Sequence, residues 1–133
     1  MKCWGYNSYG QIGSSLSTTA SNIPVPVTGL PSDVTKIAAG YYHTCAIAKG
    51  DVWCWGDNSS LQLGIDGVPF SARARKVPGL KKVVEISVGG FHTCARMENY
   101  TVACWGNNRE GQLGIGAISD SRTATVLTGL PKD

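Results

Sequence analysis

The tripeptide Cys-Trp-Gly recurs about every 50 residues along this chain of 133 residues, beginning at Cys3, Cys54 and Cys104. A second motif, Asn-x-x-Gly-Gln-(Ile/Leu)-Gly, follows each copy, with Leu61 in place of its first glycine in the middle copy. A period of this length predicts a propeller or a solenoid, in which each repeat buries its apolar face against its neighbours. The repeat therefore constrains the architecture strongly. It constrains the function much less, because binding in such proteins depends on the assembled surface.

A third motif sets the expected boundaries of the repeats. Gly-x-x-His-Thr-Cys-Ala begins at Gly40 and again at Gly89. The short apolar runs around these motifs are bounded by glycine, as strands are, and no segment has sustained helical periodicity. We therefore expect an all-β fold with a fourth strand of each unit near 26–29 and its equivalents. The alignment predicts one array over 1–133, divided into a partial repeat, 1–33, and two complete repeats, 34–82 and 83–133.

The cysteines predict the register of two hairpins. If Cys45 faces Cys54, the pairs between them leave residues 49–50, Lys-Gly, as a two-residue turn in which glycine supplies positive φ. The same arrangement in the next repeat leaves residues 98–100 as the loop. Asn99 is expected to take the left-handed conformation there, because asparagine tolerates it better than most residues.

These landmarks resemble the repeat family of the regulator of chromosome condensation, a seven-bladed β-propeller. The resemblance implies a partial β-propeller of about two and a half four-stranded repeats, whereas the family closes a ring of about seven. The paired cysteines look like the bacterial and extracellular variants of that family. The matching segments, with their counterparts one repeat away, are Gly-Tyr-Tyr-His-Thr-Cys-Ala-Ile at 40–47, Trp-Gly-Asp-Asn at 55–58, Gln-Leu-Gly at 62–64 and Pro-Gly-Leu at 78–80.

Four of the five cysteines fall into equivalent pairs, and Cys3 is left unpaired. Facing cysteines on neighbouring strands lie within the separation that a disulfide accepts. Disulfides are the favoured interpretation, and reduced cysteines in the core are the alternative. Oxidised pairs would favour an extracellular or surface location, and the compartment is otherwise open. The candidate disulfides join Cys45 to Cys54 and Cys94 to Cys104.

The two histidines occupy the same place in successive repeats. A catalytic set needs unlike residues that converge on one point, so His43 and His92 are predicted to be buried or half-buried structural donors bonded to a neighbouring backbone carbonyl. His43, Cys45 and Cys54 could supply three zinc ligands, but no fourth ligand repeats with them. The common nucleophile, phosphate-loop and metalloprotease motifs are missing. We expect no metal, no cofactor and no enzyme activity.

Other residues divide into structural and interface candidates. The repeated tryptophans are predicted to lie in the core between repeats: Trp4, Trp55 and Trp105. Residues that depart from the repeat are better candidates for an interface, because exposed aromatic and basic side chains are common binding anchors. The basic candidates are Arg73, Arg75, Lys76, Lys81 and Lys82, and the aromatic ones are Tyr41, Trp53, Phe70 and Tyr100.

Charge and hydropathy narrow the possible partners. The net charge of +3 is too small to indicate nucleic acid by itself, since nucleic-acid-binding domains concentrate more basic residues on one face, and nucleic acid is not the expected partner. No stretch approaches the roughly 18 to 20 apolar residues of a membrane helix. We expect a protein-binding scaffold with an unidentified protein partner. The chain is expected to be either a fragment of a longer propeller or a chain that associates through its open ends by head-to-tail contacts. The alternatives are a structural repeat module of a secreted or surface protein and, by analogy with the family, a guanine-nucleotide exchange and chromatin regulator.

Overall fold

The computed structural model describes residues 1–15 and 17–131 of the chain. Strands form the regular structure of these residues, and no helix capable of crossing a membrane occurs among them. The strands are β1 Lys2–Tyr6, β2 Ala20–Pro26, β3 Val34–Ala39, β4 His43–Ala48, β5 Asp51–Asp57, β6 Phe70–Lys76, β7 Val83–Val88, β8 His92–Met97, β9 Val102–Gly106 and β10 Ser121–Val126.

Within the described ranges the strands form three antiparallel sheets. The first contains β1 and β2, the second runs β3-β4-β5-β6, and the third runs β7-β8-β9-β10. Neighbours in each sheet are neighbours in the chain, as in the blades of a propeller. The expected all-β partial propeller is confirmed. The division at 1–33, 34–82 and 83–133 stays a prediction, and Lys132 and Asp133 lie outside the described residues.

The hairpin between β4 and β5 has the predicted register. Cys45 faces Cys54, and Ala48 faces Asp51 at the end of the ladder. The two turn residues between them, 49–50, have φ values of 53° and 77°. Positive φ at both central residues matches the twist of the two strands, so this turn connects them without splaying the hairpin.

The equivalent hairpin between β8 and β9 corrects one expectation. Tyr100, with φ of 67°, takes the left-handed position that we expected for Asn99. The Tyr100 amide donates to the Met97 carbonyl at 2.9 Å, and the Asn99 side chain accepts from the Thr101 amide at 3.1 Å. A three-residue hairpin loop places its left-handed residue last, and this geometry overrides the preference of asparagine.

The last strand of each sheet, which we expected as the fourth strand of its repeat, lies earlier in the chain than expected. In the first sheet it covers Ala20–Pro26 rather than residues 26–29. Gly29 has φ of 82°, which is incompatible with a strand, and Gly79 and Gly129 have the same conformation at 80°. The recurring Gly-Leu therefore marks the turn after the outer strand, and the strand itself is the less apolar segment before it.

The core lies mainly between the second and third sheets. β7 contacts β3 and β4, so the inner strands of the two sheets pack together. A smaller apolar cluster, centred on Ala46, Trp55 and Ala74, joins the first and second sheets. Burial of such side chains is the main source of stability in these repeats. The larger cluster contains Cys45, Ile47, Val52, Cys54, Leu63, Val77, Leu80, Val83, Ala95, Ala103 and Trp105.

Both predicted cysteine pairs are bonded in the structure. Cys45 joins Cys54 and Cys94 joins Cys104, with Cα separations of 4.2 Å and 4.1 Å. Cys3 has no disulfide partner among the described residues, and its burial raises the pKa of its thiol. Because the paired sulfurs bind each other, they do not form the zinc site that His43 could have shared with them.

Candidate functional site

Consecutive repeats are joined by a recurring arrangement of donors around one backbone carbonyl. The Gln62 carbonyl accepts from the Thr93 hydroxyl at 3.0 Å and from the Trp105 indole nitrogen at 2.9 Å. All three residues are fully buried. We call this arrangement the Trp clasp: the Gln carbonyl of one repeat, with the Thr hydroxyl and the Trp indole of the next.

The first and second sheets share an equivalent Trp clasp. There the Gln11 carbonyl accepts from the Thr44 hydroxyl at 3.0 Å and from the Trp55 indole nitrogen at 2.9 Å. The glycine two residues after each glutamine is required by this contact. A Cβ on Gly13 would lie 2.8 Å from the Trp55 indole nitrogen, and one on Gly64 would lie 2.7 Å from that of Trp105. The Gln-(Ile/Leu)-Gly motif therefore forms a site that accepts the tryptophan of the next repeat, and we call this site the socket.

His43 extends the Trp clasp around the Gln62 carbonyl. Its Nε2 lies 3.0 Å from the Thr93 hydroxyl oxygen. Because the single Thr93 hydroxyl proton is directed to Gln62, His43 Nε2 donates the bond, and the expected backbone carbonyl partner is replaced by a side-chain hydroxyl. His43 Nδ1 is buried and has no partner among the described groups. Burial lowers the pKa of His43 to about 4, and it also lowers that of the half-buried His92.

Trp4 corrects the prediction that all three repeated tryptophans lie in the core. Its side chain is 64% exposed, whereas Trp55 and Trp105 are 0% exposed. Each buried tryptophan enters the socket of the preceding repeat. Trp4 contacts no such socket among the described residues, and its side chain is exposed.

A polar network that the sequence did not reveal fixes the socket loop of the second sheet. Buried Asp57 accepts from the Gln62 side-chain amide at 2.9 Å and from the Ser59 hydroxyl at 2.7 Å. The Asn58 side-chain oxygen accepts from the Leu63 amide at 2.9 Å. These bonds hold the Gln62 carbonyl where the next repeat can reach it. The sequence did show that this asparagine recurs in each repeat. It did not show that its side chain accepts from the amide five residues later.

Aromatic side chains from all three repeats meet at the same end of the three sheets. The Tyr9 and Tyr42 rings lie 5.0 Å apart between centroids, and the Tyr42 and Phe91 rings lie 6.1 Å apart. Tyr6 and Tyr41 extend the series, with centroids 6.4 Å from Tyr9 and 5.5 Å from Phe91, respectively. We call these five residues the aromatic strip. Of its members, only Tyr41 was predicted as an interface residue, because the others are brought together by the packing of the sheets.

The members of the aromatic strip differ in exposure. Tyr41 is 73% exposed, Tyr6 and Tyr9 are also exposed, and Tyr42 and Phe91 are half-buried beneath them. The two half-buried rings contact each other across neighbouring sheets, and each also packs against an exposed ring. Edge and tilted ring contacts of this kind are favourable beyond the area they bury.

The predicted basic residues are exposed but lie elsewhere. On β6, Phe70 faces Asp57 and Lys76 faces Trp53, so the two ends of this strand are at opposite ends of the sheet. All five predicted cations are exposed, three on β6 and two in the loop that follows it: Arg73, Arg75, Lys76, Lys81 and Lys82.

Ion pairs already engage part of this basic group. Lys76 lies 2.7 Å from Asp51, and Lys82 lies 3.4 Å from Glu98. Exposed pairs of this kind contribute little to stability. They nevertheless reduce the positive field available to a partner, since their charges are locally compensated.

The remaining aromatic candidates are not part of the aromatic strip. Phe70 and Tyr100 are exposed, and the Tyr100 ring lies 5.6 Å below the Arg96 guanidinium. Trp53, in contrast, is half-buried against the smaller apolar cluster. Its role as an interface anchor stays a prediction. Its position on β5 alternates with the fully buried Cys54, and the neighbouring sheet covers part of its ring.

The described ranges contain no group of three or more His, Cys, Asp or Glu placed to hold a metal ion. An apolar groove of about 560 Å³ is lined by Trp4, Ile37 and Tyr41 among others, between the first and second sheets. The chemistry that these surfaces offer is therefore ring contact, hydrogen bonding and apolar burial.

Comparison with known families agrees with this architecture. A family model described as the regulator of chromosome condensation (RCC1) repeat matches residues 3–47 and 49–96. A second model with the same description matches residues 34–62 and 83–112. Together they cover the motifs on which the repeat boundaries were based.

Curated relatives are much longer than this chain. The mitochondrial RCC1 domain-containing protein RUG3 of Arabidopsis thaliana is 32% identical over 100 residues, which are 67% of this chain and 22% of that protein. Human E3 ubiquitin-protein ligase HERC2 is 36% identical over 96 residues, which are 69% of this chain and 2% of that protein. The chain thus spans less than a quarter of either relative.

Solved structures share the fold over nearly the whole chain. Prp20p from Saccharomyces cerevisiae, studied for its binding to Gsp1p and histones, superposes with a TM-score of 0.87 at 22% identity. The match covers 96% of this chain and 34% of Prp20p. Human WBSCR16 superposes with a TM-score of 0.85 at 26% identity, covering 97% of this chain and 35% of that protein.

Proposed function

Since the chain belongs to the family of regulator of chromosome condensation (RCC1) repeats, and its sheets expose a continuous row of aromatic rings, we propose that it is a non-enzymatic protein-binding scaffold. The aromatic strip is the observation that carries this proposal. It combines residues from three sheets, as expected for a binding surface that exists only when the repeats are assembled.

The chemistry of the aromatic strip suits a protein partner. Tyrosine and phenylalanine rings bury large apolar areas at low cost in side-chain entropy, and they are enriched among the anchors of protein interfaces. The hydroxyl groups of Tyr6, Tyr9 and Tyr41 add hydrogen-bonding capacity at the rim. A partner with an apolar groove flanked by hydrogen-bond acceptors is the best match for this surface.

The ligase activity of some relatives is not assigned to this chain. The similarity to HERC2 covers 2% of that ligase. The binding of Prp20p to Gsp1p and histones supports a binding role for the fold, while its identity of 22% limits the likeness to the fold alone. The partner of this chain is therefore defined by chemistry and not by name.

A structural repeat module of a secreted or surface protein is the second candidate. The cross-strand disulfides Cys45–Cys54 and Cys94–Cys104 favour it, because disulfides persist in oxidising compartments. This role would require no specific partner. It would be supported if the immobilised chain captured no specific protein partner.

The test is capture of a partner by the immobilised chain, followed by identification and measurement of binding with the purified partner. Replacement of Tyr9 and Tyr41 by serine should weaken that binding at least about tenfold, as expected for loss of interface anchors. The matched control replaces Arg73 and Arg75 by glutamine, which alters an exposed surface away from the aromatic strip. Equal loss in both double variants, or loss only in the arginine variant, would contradict the assignment to the aromatic strip.

A further inference from the structure

Two asparagines of the chain lie in the acceptor motif for N-linked glycosylation, Asn-x-(Ser/Thr). The motif occurs at 58–60, Asn-Ser-Ser, and at 99–101, Asn-Tyr-Thr. Such a match identifies a usable acceptor only where the asparagine lies on the surface, because the glycan is large and hydrated and its transfer requires a free amide nitrogen. The structure distinguishes the two asparagines on both counts.

Asn58 cannot carry a glycan in the folded protein. Its side chain is only 3% exposed. Its Nδ2 atom donates to the Ile65 carbonyl at 2.9 Å and to the Val68 carbonyl at 2.7 Å, so both amide protons are used within the fold. A sugar on this nitrogen would displace the loop that these bonds hold in place.

Asn99 has the opposite environment. It is exposed in the loop between β8 and β9. Its Oδ1 atom accepts from the Thr101 amide at 3.1 Å, and no described group accepts from its Nδ2 atom. The turn therefore fixes the side chain through its oxygen and leaves the nitrogen in solvent. Glu98 and Tyr100 on either side are exposed as well, so a bulky group at position 99 is not enclosed by its neighbours.

The disulfides agree with the compartment in which such a transfer occurs. Cys94–Cys104 closes the hairpin whose loop carries Asn99, and Cys45–Cys54 closes the equivalent hairpin one repeat earlier. Disulfides form and persist in the secretory pathway, and the acceptor motif is used on secreted proteins. The bonded cysteines and the exposed acceptor are independent features that favour the same environment.

We propose that Asn99 is a site of N-linked glycosylation. The donor is an oligosaccharide joined through pyrophosphate to a polyisoprenoid lipid. The Asn99 Nδ2 atom forms a bond to the anomeric carbon of the first sugar, the bond from that carbon to the pyrophosphate oxygen breaks, and its electron pair leaves with the lipid pyrophosphate. The nitrogen loses one proton and becomes part of a secondary amide.

A glycan at Asn99 would leave the aromatic strip accessible. Phe91 of the aromatic strip directly precedes β8, and Asn99 follows the other end of that strand. The six extended residues of β8 separate the two ends by about 20 Å. The modification is therefore independent of the binding role proposed above, and its failure would leave that proposal standing.

The test directs the whole chain into the secretory pathway of a eukaryotic cell behind a cleavable signal peptide. We expect one glycan per chain, which peptide N-glycosidase should remove while converting Asn99 to aspartate. Mass spectrometry of the resulting peptides identifies the converted position. Asn58 should be recovered unmodified from the same secreted protein.

Matched variants assign the glycan to one motif. Asn99→Gln removes the acceptor nitrogen and Thr101→Ala removes the hydroxyl that the motif requires, so each should abolish the glycan. Thr101→Ser keeps the motif and should keep the glycan. Ser60→Ala removes the motif at Asn58 without replacing the hydrogen-bonded asparagine, and it should also keep the glycan.

Both the secreted and the cell-retained chains are analysed, so a variant that fails to fold still gives a result. An unmodified Asn99 in secreted chains whose disulfides have formed would overturn the proposal. A glycan that persists in Asn99→Gln and disappears in Ser60→Ala would overturn it too, since the transfer would then occur at Asn58.

Discussion

At the scale of single residues, Leu61 is the clearest site of backbone strain. It has φ of 64°, while Gly10 and Gly111 hold the same place in the other repeats with φ of 77° and 74°. The amide of each of these residues bonds to the carbonyl of the repeated asparagine three residues earlier, at 2.9 to 3.0 Å. The turn is therefore kept in its left-handed form, and the leucine bears the cost of a conformation that suits glycine.

Relief of this strain should stabilise the protein. We expect Leu61→Asn to raise the free energy of unfolding by about 0.5 to 1 kcal/mol, because asparagine tolerates the left-handed region. The reciprocal change, Gly111→Leu, has no neighbour within 4 Å to clash with and should lower it by about 1 to 2 kcal/mol. Chemical denaturation of both variants measures these effects. A loss of stability in Leu61→Asn would show that leucine packing outweighs the strain.

His43 should make stability depend on pH. Burial lowers its pKa to about 4 from the ordinary 6.5, so the folded state disfavours the protonated ring. Stability should be greatest above pH 6.5 and should fall by a total of about 3 kcal/mol as the pH drops to about 4, with no further loss from this residue below that.

Denaturation curves between pH 4 and pH 7.5 measure this dependence. His43→Gln keeps a donor for the Thr93 hydroxyl and should flatten the curve. His92→Gln should retain most of the slope, because His92 is only half-buried. An unchanged slope in His43→Gln would assign the pH dependence to other groups.

At the scale of strands, the β4–β5 hairpin is closed by the Cys45–Cys54 disulfide, with nine residues of sequence separation. The bond restricts the unfolded chain, so the double variant Cys45→Ala, Cys54→Ala should lose about 2 to 3 kcal/mol of unfolding free energy. Cys3→Ala is the matched control, because Cys3 is half-buried and has no disulfide partner among the described residues. Thermal melting with and without reductant measures the difference. The same loss in both variants would indicate that cysteine packing, and not the bond, stabilises the hairpin.

At the scale of the whole molecule, the Trp clasps couple one repeat to the next. Thr93 accepts from His43 and donates to Gln62, so Thr93→Val removes two buried bonds and should cost about 1 to 3 kcal/mol. Thr44 donates one part-buried bond to Gln11, and Thr44→Val should cost less, about 0.5 to 1.5 kcal/mol.

Native-state hydrogen exchange distinguishes coupling from local destabilisation. In Thr93→Val the amides of the third sheet should open at lower free energy than those of β4 and β5, because stability in repeat arrays is a sum of repeat and interface terms. Uniform loss of protection over both sheets would indicate that the repeats unfold as one unit regardless of the clasp.

Much of the fold was predictable from particular residues. The spacing of Cys45 and Cys54 predicted the hairpin register and the Lys49-Gly50 turn, because the side-chain period of a strand is two and a short turn permits few alternatives. The outer strand was misplaced because the Gly-Leu motif is more apolar than the strand before it. That motif forms the turn after the strand, and in the second sheet its leucine, Leu80, is buried without being part of a strand.

The sequence by itself determined the repeat, the all-β class and the cysteine pairs, because these depend on spacing along a single chain. Only the tertiary structure decided what crosses between repeats: the two donors on the Gln62 carbonyl, the exposure of Trp4, and the meeting of Tyr9, Tyr42 and Phe91. Residues about 30 to 50 positions apart contact one another only after the sheets pack at a definite angle. Hydrophobic periodicity specifies which face of a strand is buried. It does not specify which atoms of the next repeat contact that face.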